Sequence, residues 1–133
     1  MLVADAPVAA IGPGLCVLLG VAEGDGPAEA RRLAERVARL RVFENAEGRF
    51  DRSLLDIRGE ALVVSQFTLI ADTTKGNRPS FAAASRPEAA EPLYGAFCEA
   101  LAEEGVAVAR GVFRARMLVE IENDGPVTVL IET

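Results

Sequence analysis

Ser65-Gln66-Phe67-Thr68 directly follows an apolar run, Ala61–Val64. The pattern reads as the end of a buried strand passing into a loop. Ser65 and Thr68 offer hydroxyls and Gln66 a carboxamide, and backbone N–H groups beyond a strand end are free to bind a ligand. A second stretch, Asn123-Asp124-Gly125-Pro126-Val127-Thr128, lies between two apolar, β-branched runs, Met117–Ile121 and Val127–Ile131. Gly125 admits positive φ, and Pro126 fixes its own φ and donates no N–H. The trans preference of an X–Pro bond is only about 0.5–1 kcal/mol, so a cis bond at Pro126 is within reach. A cis bond would turn the Gly125 carbonyl out of line with the strand. The result is a rigid backbone acceptor with no side chain around it. The same residues also make an ordinary hairpin turn, and spacing alone does not separate the two readings.

What the chain lacks narrows the chemistry. The 133 residues contain no His. That rules out a Ser-His-Asp or Cys-His arrangement and any His-ligated metal. No paired carboxylates stand out, and neither a metal nor a cofactor is expected. The two cysteines, Cys16 and Cys98, are far apart in apolar contexts and are expected to be buried reduced thiols. Such thiols fit a cytoplasmic protein better than a secreted one. Met1–Ala10 carries no basic segment and contains Asp5 and Pro7, unlike a signal peptide. No apolar run reaches the roughly 20 residues of a membrane helix. The net charge of −6 argues against general nucleic-acid binding. It leaves room for a transient hold on one end of an RNA. The basic residues to follow are then Lys75, Arg78 and Arg86, with Arg110, Arg114 and Arg116.

These groups need elements to position them. Leu15–Val21 has the length of a buried strand. Asp25 is a candidate N-cap and Pro27 a first helical residue. Leu33, Val37 and Leu40 then repeat as the apolar stripe of a surface helix. The arginines between them, Arg31 to Arg39, read either as an RNA patch or as a solvated face paired with Glu29 and Glu35. Phe50, Leu54, Leu55 and Ile57 alternate poorly and predict a loop over core. Ala61–Leu69 is the central strand, apolar enough at first to be covered on both faces. Ala71–Ser85 is a long connection with Lys75-Gly76-Asn77-Arg78-Pro79 at its tip. A loop of this length is either functional or simply mobile. Pro87 opens a second helix, with Ala90, Leu93, Phe97 and Leu101 as its stripe and Gly105 at its end. Val106–Ala109, Met117–Ile121 and Val127–Ile131 are the last strands. The order shows no strict βαβ alternation. It predicts one α+β domain over residues 1–133, a mixed sheet carrying two helices.

The Ser65–Leu69 and Asn123–Thr128 stretches resemble the two signature motifs of D-aminoacyl-tRNA deacylases, the D-Tyr-tRNA deacylase family. The likeness continues in family order through Ile11–Leu15, Leu18–Val21, Leu40–Phe43, Lys75–Phe81 and Gly111–Phe113. The resemblance implies a barrel-like β domain with two helices, working as a homodimer. It implies hydrolysis of the ester joining a D-amino acid, or mischarged glycine, to the terminal ribose of tRNA. Carried over, Gly125 and Pro126 form a cis pair that reaches into the other subunit's site, with Asn123 beside them. Their carbonyls meet the α-amino group, and the backbone wall excludes an L side chain. Such a filter discriminates without touching the variable group. Ser65, Gln66, Phe67 and Thr68 would form the pocket floor. The Phe67 and Thr68 N–H groups would stabilise the oxyanion, and Gln66 would bond the substrate. Thr68 has nothing nearby in sequence to activate it as a nucleophile. The favoured chemistry is therefore substrate-assisted, with the free ribose hydroxyl helping to activate water. Lys75, Arg78, Arg114 and Arg116 are the candidate tRNA contacts.

Two departures from the family pattern stand out. Family chains usually begin with a further strand and a Gln-Arg-Val-type segment ahead of the part matched here. Many members also have Gly where Arg114 stands and an acid or amide near Arg116. The competing readings are a non-catalytic nucleic-acid-associated module with a vestigial pocket, and a structural or interaction protein.

Overall fold

The computed structural model describes residues 2–3 and 6–133. In chain order the elements are β1 (Leu2–Val3), β2 (Ala6–Pro7), β3 (Gly14–Leu19), α1 (Pro27–Arg39), β4 (Phe43–Glu44) and β5 (Phe50–Arg52). There follow β6 (Glu60–Ser65), a 3-10 turn (Phe67–Ile70), α2 (Pro87–Glu103), β7 (Ala107–Arg110) and β8 (Met117–Leu118).

The central sheet has the order β3-β6-β7 and is parallel throughout, with Leu19 opposite Ser65 and Val63 opposite Arg110. Parallel neighbours need crossovers, and these carry the helices, α1 between β3 and β6 and α2 between β6 and β7. The βαβ arrangement was not legible in the sequence because the β4–β5 hairpin interrupts the first crossover and a long connection the second. A second sheet, β2-β1-β8, is antiparallel. The α+β reading with two helices holds, but the sheets do not close into a barrel.

β6 is the centre. Ala61, Leu62, Val63 and Val64 are all buried. Ala61 and Val63 face a core with Leu54, Phe97, Cys98 and Leu101, while Leu62 and Val64 pack with Cys16, Met117 and Val119 on the other side. The uniformly apolar run is thus covered on both faces, as a central parallel strand requires. α1 meets α2 through the fully buried Ala34 and Ala38, with Val37 beside them. Leu33 and Leu40 are only half-buried. Gly26, not Asp25, is the N-cap: Glu29 accepts from the Gly26 N–H at 2.8 Å, and Asp25 accepts from the Ala22 N–H at 2.8 Å to fold the preceding loop. α2 ends at Glu103 with Glu104 as its C-cap, and Gly105 just beyond has φ 104°.

The arginines of α1 pair mostly across elements rather than along the helix. Arg39 makes a two-pronged bond to Glu104 at 2.9 and 3.2 Å, Arg31 reaches Glu103 at 3.5 Å, and Arg36 donates to the Glu132 carbonyl at 3.1 Å. Only Arg32–Glu29, at 3.5 Å, is a pair within the helix. With these acids beside it the face is solvated and charge-balanced.

The expected strands Met117–Ile121 and Val127–Ile131 are corrected. Only Met117 and Leu118 join a ladder, paired with Val3 and Leu2, and the chain from Val119 on has no strand partner among the described residues. Ile131 still packs against the helix-side core. Both cysteines are free, Cys98 buried and Cys16 half-buried, and burial pushes both thiols up from their ordinary value.

Tyr94 donates a buried hydrogen bond to the Val63 carbonyl at 2.7 Å. Burial pushes its phenol up to about 12. The folded state therefore holds the proton more tightly than the unfolded chain, whose tyrosine titrates near 10. This contribution is complete below pH of about 10 and is lost as pH rises towards about 12. The urea midpoint should fall across that window in the wild type, and much less in Tyr94→Phe. Equal alkaline losses in both would assign the effect to other groups.

Candidate active site

The three parallel strands end on one edge, and that edge collects most of the residues singled out by type. Leu19 and Ser65 are the last residues of β3 and β6 and lie in register. The Gln66 N–H still donates to the Leu19 carbonyl at 2.8 Å, but β3 offers no further strand partner. The chain then turns into the 3-10 segment, closed by Leu69 N–H to Gln66 C=O at 3.3 Å. Like the first amides of any helix, those of Phe67 and Thr68 lack an internal acceptor. Among the described residues neither N–H has a hydrogen-bond partner. Ser65 and Gln66 are half-buried, and Phe67 and Thr68 are exposed. No hydrogen bond links the Thr68 hydroxyl to an acid or base among the described residues.

Phe67 is 59% exposed on a strand-end turn, and its ring meets Phe81 edge-on with centroids 5.0 Å apart. Phe81 was not expected as a site residue. The only sequence signal for it was its place at the end of the Lys75–Phe81 block. Residues beyond it join the loop after β3, through Glu23 N–H to Ala83 C=O at 2.8 Å and Ser85 N–H to Val21 C=O at 2.9 Å. Between these segments and the start of α2 lies a cavity of about 500 Å³ lined by Glu23, Asp25, Phe81, Ser85, Arg86 and Ala89.

The long connection is organised at its base. Asp72 and Ser80 exchange backbone bonds of 2.7 and 2.8 Å. The Thr74 N–H and hydroxyl both donate to Asp72 Oδ1, at 2.9 and 2.6 Å, and this holds the Asp72 carboxyl below its usual value. Lys75 and Arg78 project from the closed loop and are exposed. At the end of β7, Gly111 N–H donates to the Val63 carbonyl at 3.1 Å, and the next turn closes through Ala115 N–H to Val112 C=O at 3.1 Å. Arg114 occupies its third position with φ 66°, in the left-handed region that favours glycine. Arg114 and Arg116 are exposed on the same edge. Among the described residues, Lys75, Arg78, Arg86, Arg110, Arg114 and Arg116 make no ion pair with an acid, whereas Arg31, Arg32, Arg39 and Arg41 do.

The 123–128 loop is built by Asn123. Its Oδ1 accepts from the Val127 N–H at 3.0 Å and its Nδ2 donates to Thr128 Oγ1 at 3.0 Å. The Gly125–Pro126 bond is cis and Gly125 has φ 135°. The loop is almost wholly exposed, and no hydrogen bond joins it to residues 65–68 among the described residues. The structure therefore places Ser65–Thr68, Arg114 and Arg116 by the ends of the parallel strands and Lys75 and Arg78 on the exposed loop that follows, and among the described residues no hydrogen bond joins Asn123, Gly125 or Pro126 to residues 65–68.

Comparison with known proteins places this arrangement. The family model described as D-Tyr-tRNA(Tyr) deacylase matches residues 1–132. A relative from Roseiflexus sp. (strain RS-1), named D-aminoacyl-tRNA deacylase, is 59% identical over 131 residues, 98% of this chain and 84% of that protein. One of the same name from Anaeromyxobacter dehalogenans (strain 2CP-C) is 54% identical over 124 residues, 93% of this chain and 83% of that one. A solved structure described as "c-Myc DNA Unwinding Element Binding Protein" is 40% identical, with a TM-score of 0.92 over 99% of this chain and 90% of that one. A probable eukaryotic D-amino acid tRNA deacylase, 16% identical with a TM-score of 0.60 over 76% of this chain and 74% of that one, shares the fold. The chain belongs to the D-Tyr-tRNA(Tyr) deacylase family.

Proposed function

We infer that the protein hydrolyses the ester between a D-amino acid, or glycine, and the terminal ribose of tRNA. The observation that carries this reading is the pair of amides at Phe67 and Thr68, without hydrogen-bond partners among the described residues and set on a strand end in a chain of this family. Water adds to the ester carbonyl carbon, and the carbonyl oxygen becomes an oxyanion facing the two N–H groups. Donors already aimed at developing charge lower the barrier without reorganisation. Collapse breaks the bond to the ribose oxygen, which leaves with a proton, and the free D-amino acid and tRNA separate. The neighbouring ribose hydroxyl helps to activate the water, since the chain contains no histidine. Ser65 and Gln66 line the floor, and Gln66 bonds the substrate. Thr68 contributes its N–H. Thr68→Val should accordingly keep turnover near normal in single-turnover assays, whereas a drop of about a hundredfold would make its hydroxyl the nucleophile.

In this reading Gly125 and Pro126 form the wall that meets the α-amino group and leaves no room for an L side chain, with Asn123 bracing the loop. The wall serves the other subunit of a homodimer. Support comes from the loop's lack of hydrogen bonds to its own floor, and from Leu118, Ile121, Val129 and Leu130, large apolar residues more than half exposed along the same C-terminal segment. Sedimentation should give twice the chain mass; a monomer at micromolar concentration could not assemble the site. Lys75, Arg78, Arg114 and Arg116 contact the tRNA backbone, and the enzyme works in the cytoplasm. One observation favours a second reading, a non-catalytic nucleic-acid module: the 40% identical relative is described as a DNA-element binding protein. Release of D-tyrosine from D-tyrosyl-tRNA decides between them, since recovery of intact ester would leave only binding.

A further inference from the structure

We propose that Gly20 is a positioning residue, seating the 3-10 turn so that the Phe67 and Thr68 amides point at the reacting carbonyl. The proposal rests on the deacylase reading above and assigns a role to a residue outside both motifs.

Gly20 directly follows β3. Its backbone lies outside the left-handed region, so a side chain would meet no φ penalty there. What glycine supplies is space. A Cβ at position 20 would lie 3.1 Å from Leu69 Cβ, 3.2 Å from Ile70 Cδ1 and 3.3 Å from Ile70 Cγ1. The Ile70 atoms can rotate away. Leu69 Cβ cannot, because it is bonded directly to the backbone of the turn. Leu69 follows Thr68, and its N–H closes the turn onto the Gln66 carbonyl. The turn is held at both ends, by Gln66 N–H on the Leu19 carbonyl and by the Asp72–Ser80 pair. A methyl at position 20 therefore has to push the turn itself, by a few tenths of an ångström, and the amides at 67 and 68 tilt with it. Oxyanion stabilisation is sensitive to such shifts, because a misplacement of about 1 Å can cost about a hundredfold in rate.

The test is Gly20→Ala, read in two ways. The first is the amide ¹H–¹⁵N shifts of Phe67 and Thr68. These should move more than the amides of the central strand. The second is hydrolysis of D-tyrosyl-tRNA, where kcat should fall about tenfold with KM nearly unchanged, the split expected when the loss is confined to the transition state. The double variant Gly20→Ala/Leu69→Gly, which removes the Cβ that cannot move aside, should recover part of kcat and keeps the test available if the single variant folds poorly. Unmoved 67 and 68 amides, an unchanged kcat, or a loss carried wholly by KM would each overturn the proposal. If the wild type cleaves no D-aminoacyl ester, the deacylase reading itself fails; if it cleaves and Gly20→Ala cleaves equally well, only the role of Gly20 falls.

Discussion

Gly125→Ala should lower the rate of D-tyrosyl-tRNA hydrolysis by about a hundredfold while leaving the melting temperature nearly unchanged. The residue sits at φ 135°, which L side chains rarely adopt. A Cβ there would lie 2.9 Å from Val127 Cγ2 and 3.1 Å from the Val127 nitrogen. That nitrogen carries the N–H bonded to Asn123 Oδ1 at 3.0 Å, so relieving the clash loosens the bond that shapes the loop. In the proposed reading, the backbone wall then loses its position at the α carbon. Because the loop is exposed and outside the core, the damage stays local. A variant whose rate stays within about threefold of wild type would remove the loop from the site.

The second large effect concerns stability. Phe97→Ala should cost about 3–5 kcal/mol, a large share of the roughly 5–15 kcal/mol that holds a domain folded. Phe97 is fully buried in the middle of α2 and belongs to the cluster with Ala34, Leu54, Val63 and Leu101, where the helices meet the central strand. Neighbours on three different elements cannot close over the hole together. Phe50→Ala, at a ring 52% exposed on β5, should change stability by no more than about 0.5 kcal/mol. Urea denaturation of the two variants gives both numbers; comparable losses would mean that the core is not where the structure puts it.

The parts of this fold legible in the sequence are those set by local pattern. The apolar runs of β3 and β6, the helix starts at Pro27 and Pro87 and the helix end just before Gly105 all follow from periodicity and turn chemistry. The central strand, expected over Ala61–Leu69, stops at Ser65, because the chain turns into a 3-10 segment where β3 offers no further partner. What was not legible depends on residues far apart in the chain. The parallel pairing of β3, β6 and β7 is a matter of which strands meet, and an interrupting hairpin concealed the crossovers. The partners of Arg31 and Arg39, Glu103 and Glu104, lie at the C-terminal end of α2, and spacing along α1 cannot show them. Val127–Ile131 has a strand's composition but no described neighbour to pair with, and composition cannot supply a partner. In the candidate site, the motif residues stand out one by one in the sequence, while Phe81 against Phe67 and Gly20 under Leu69 needed three dimensions.

Exclusion of an L side chain is tested most directly by the relative rates of ester hydrolysis for D-tyrosyl-, glycyl- and L-tyrosyl-tRNA, measured side by side with this chain. It predicts cleavage of the first two and sparing of the third, because a backbone wall excludes a side chain at one α position and ignores what the side chain is. Cleavage of the L-ester at the rate of the D-ester would contradict it.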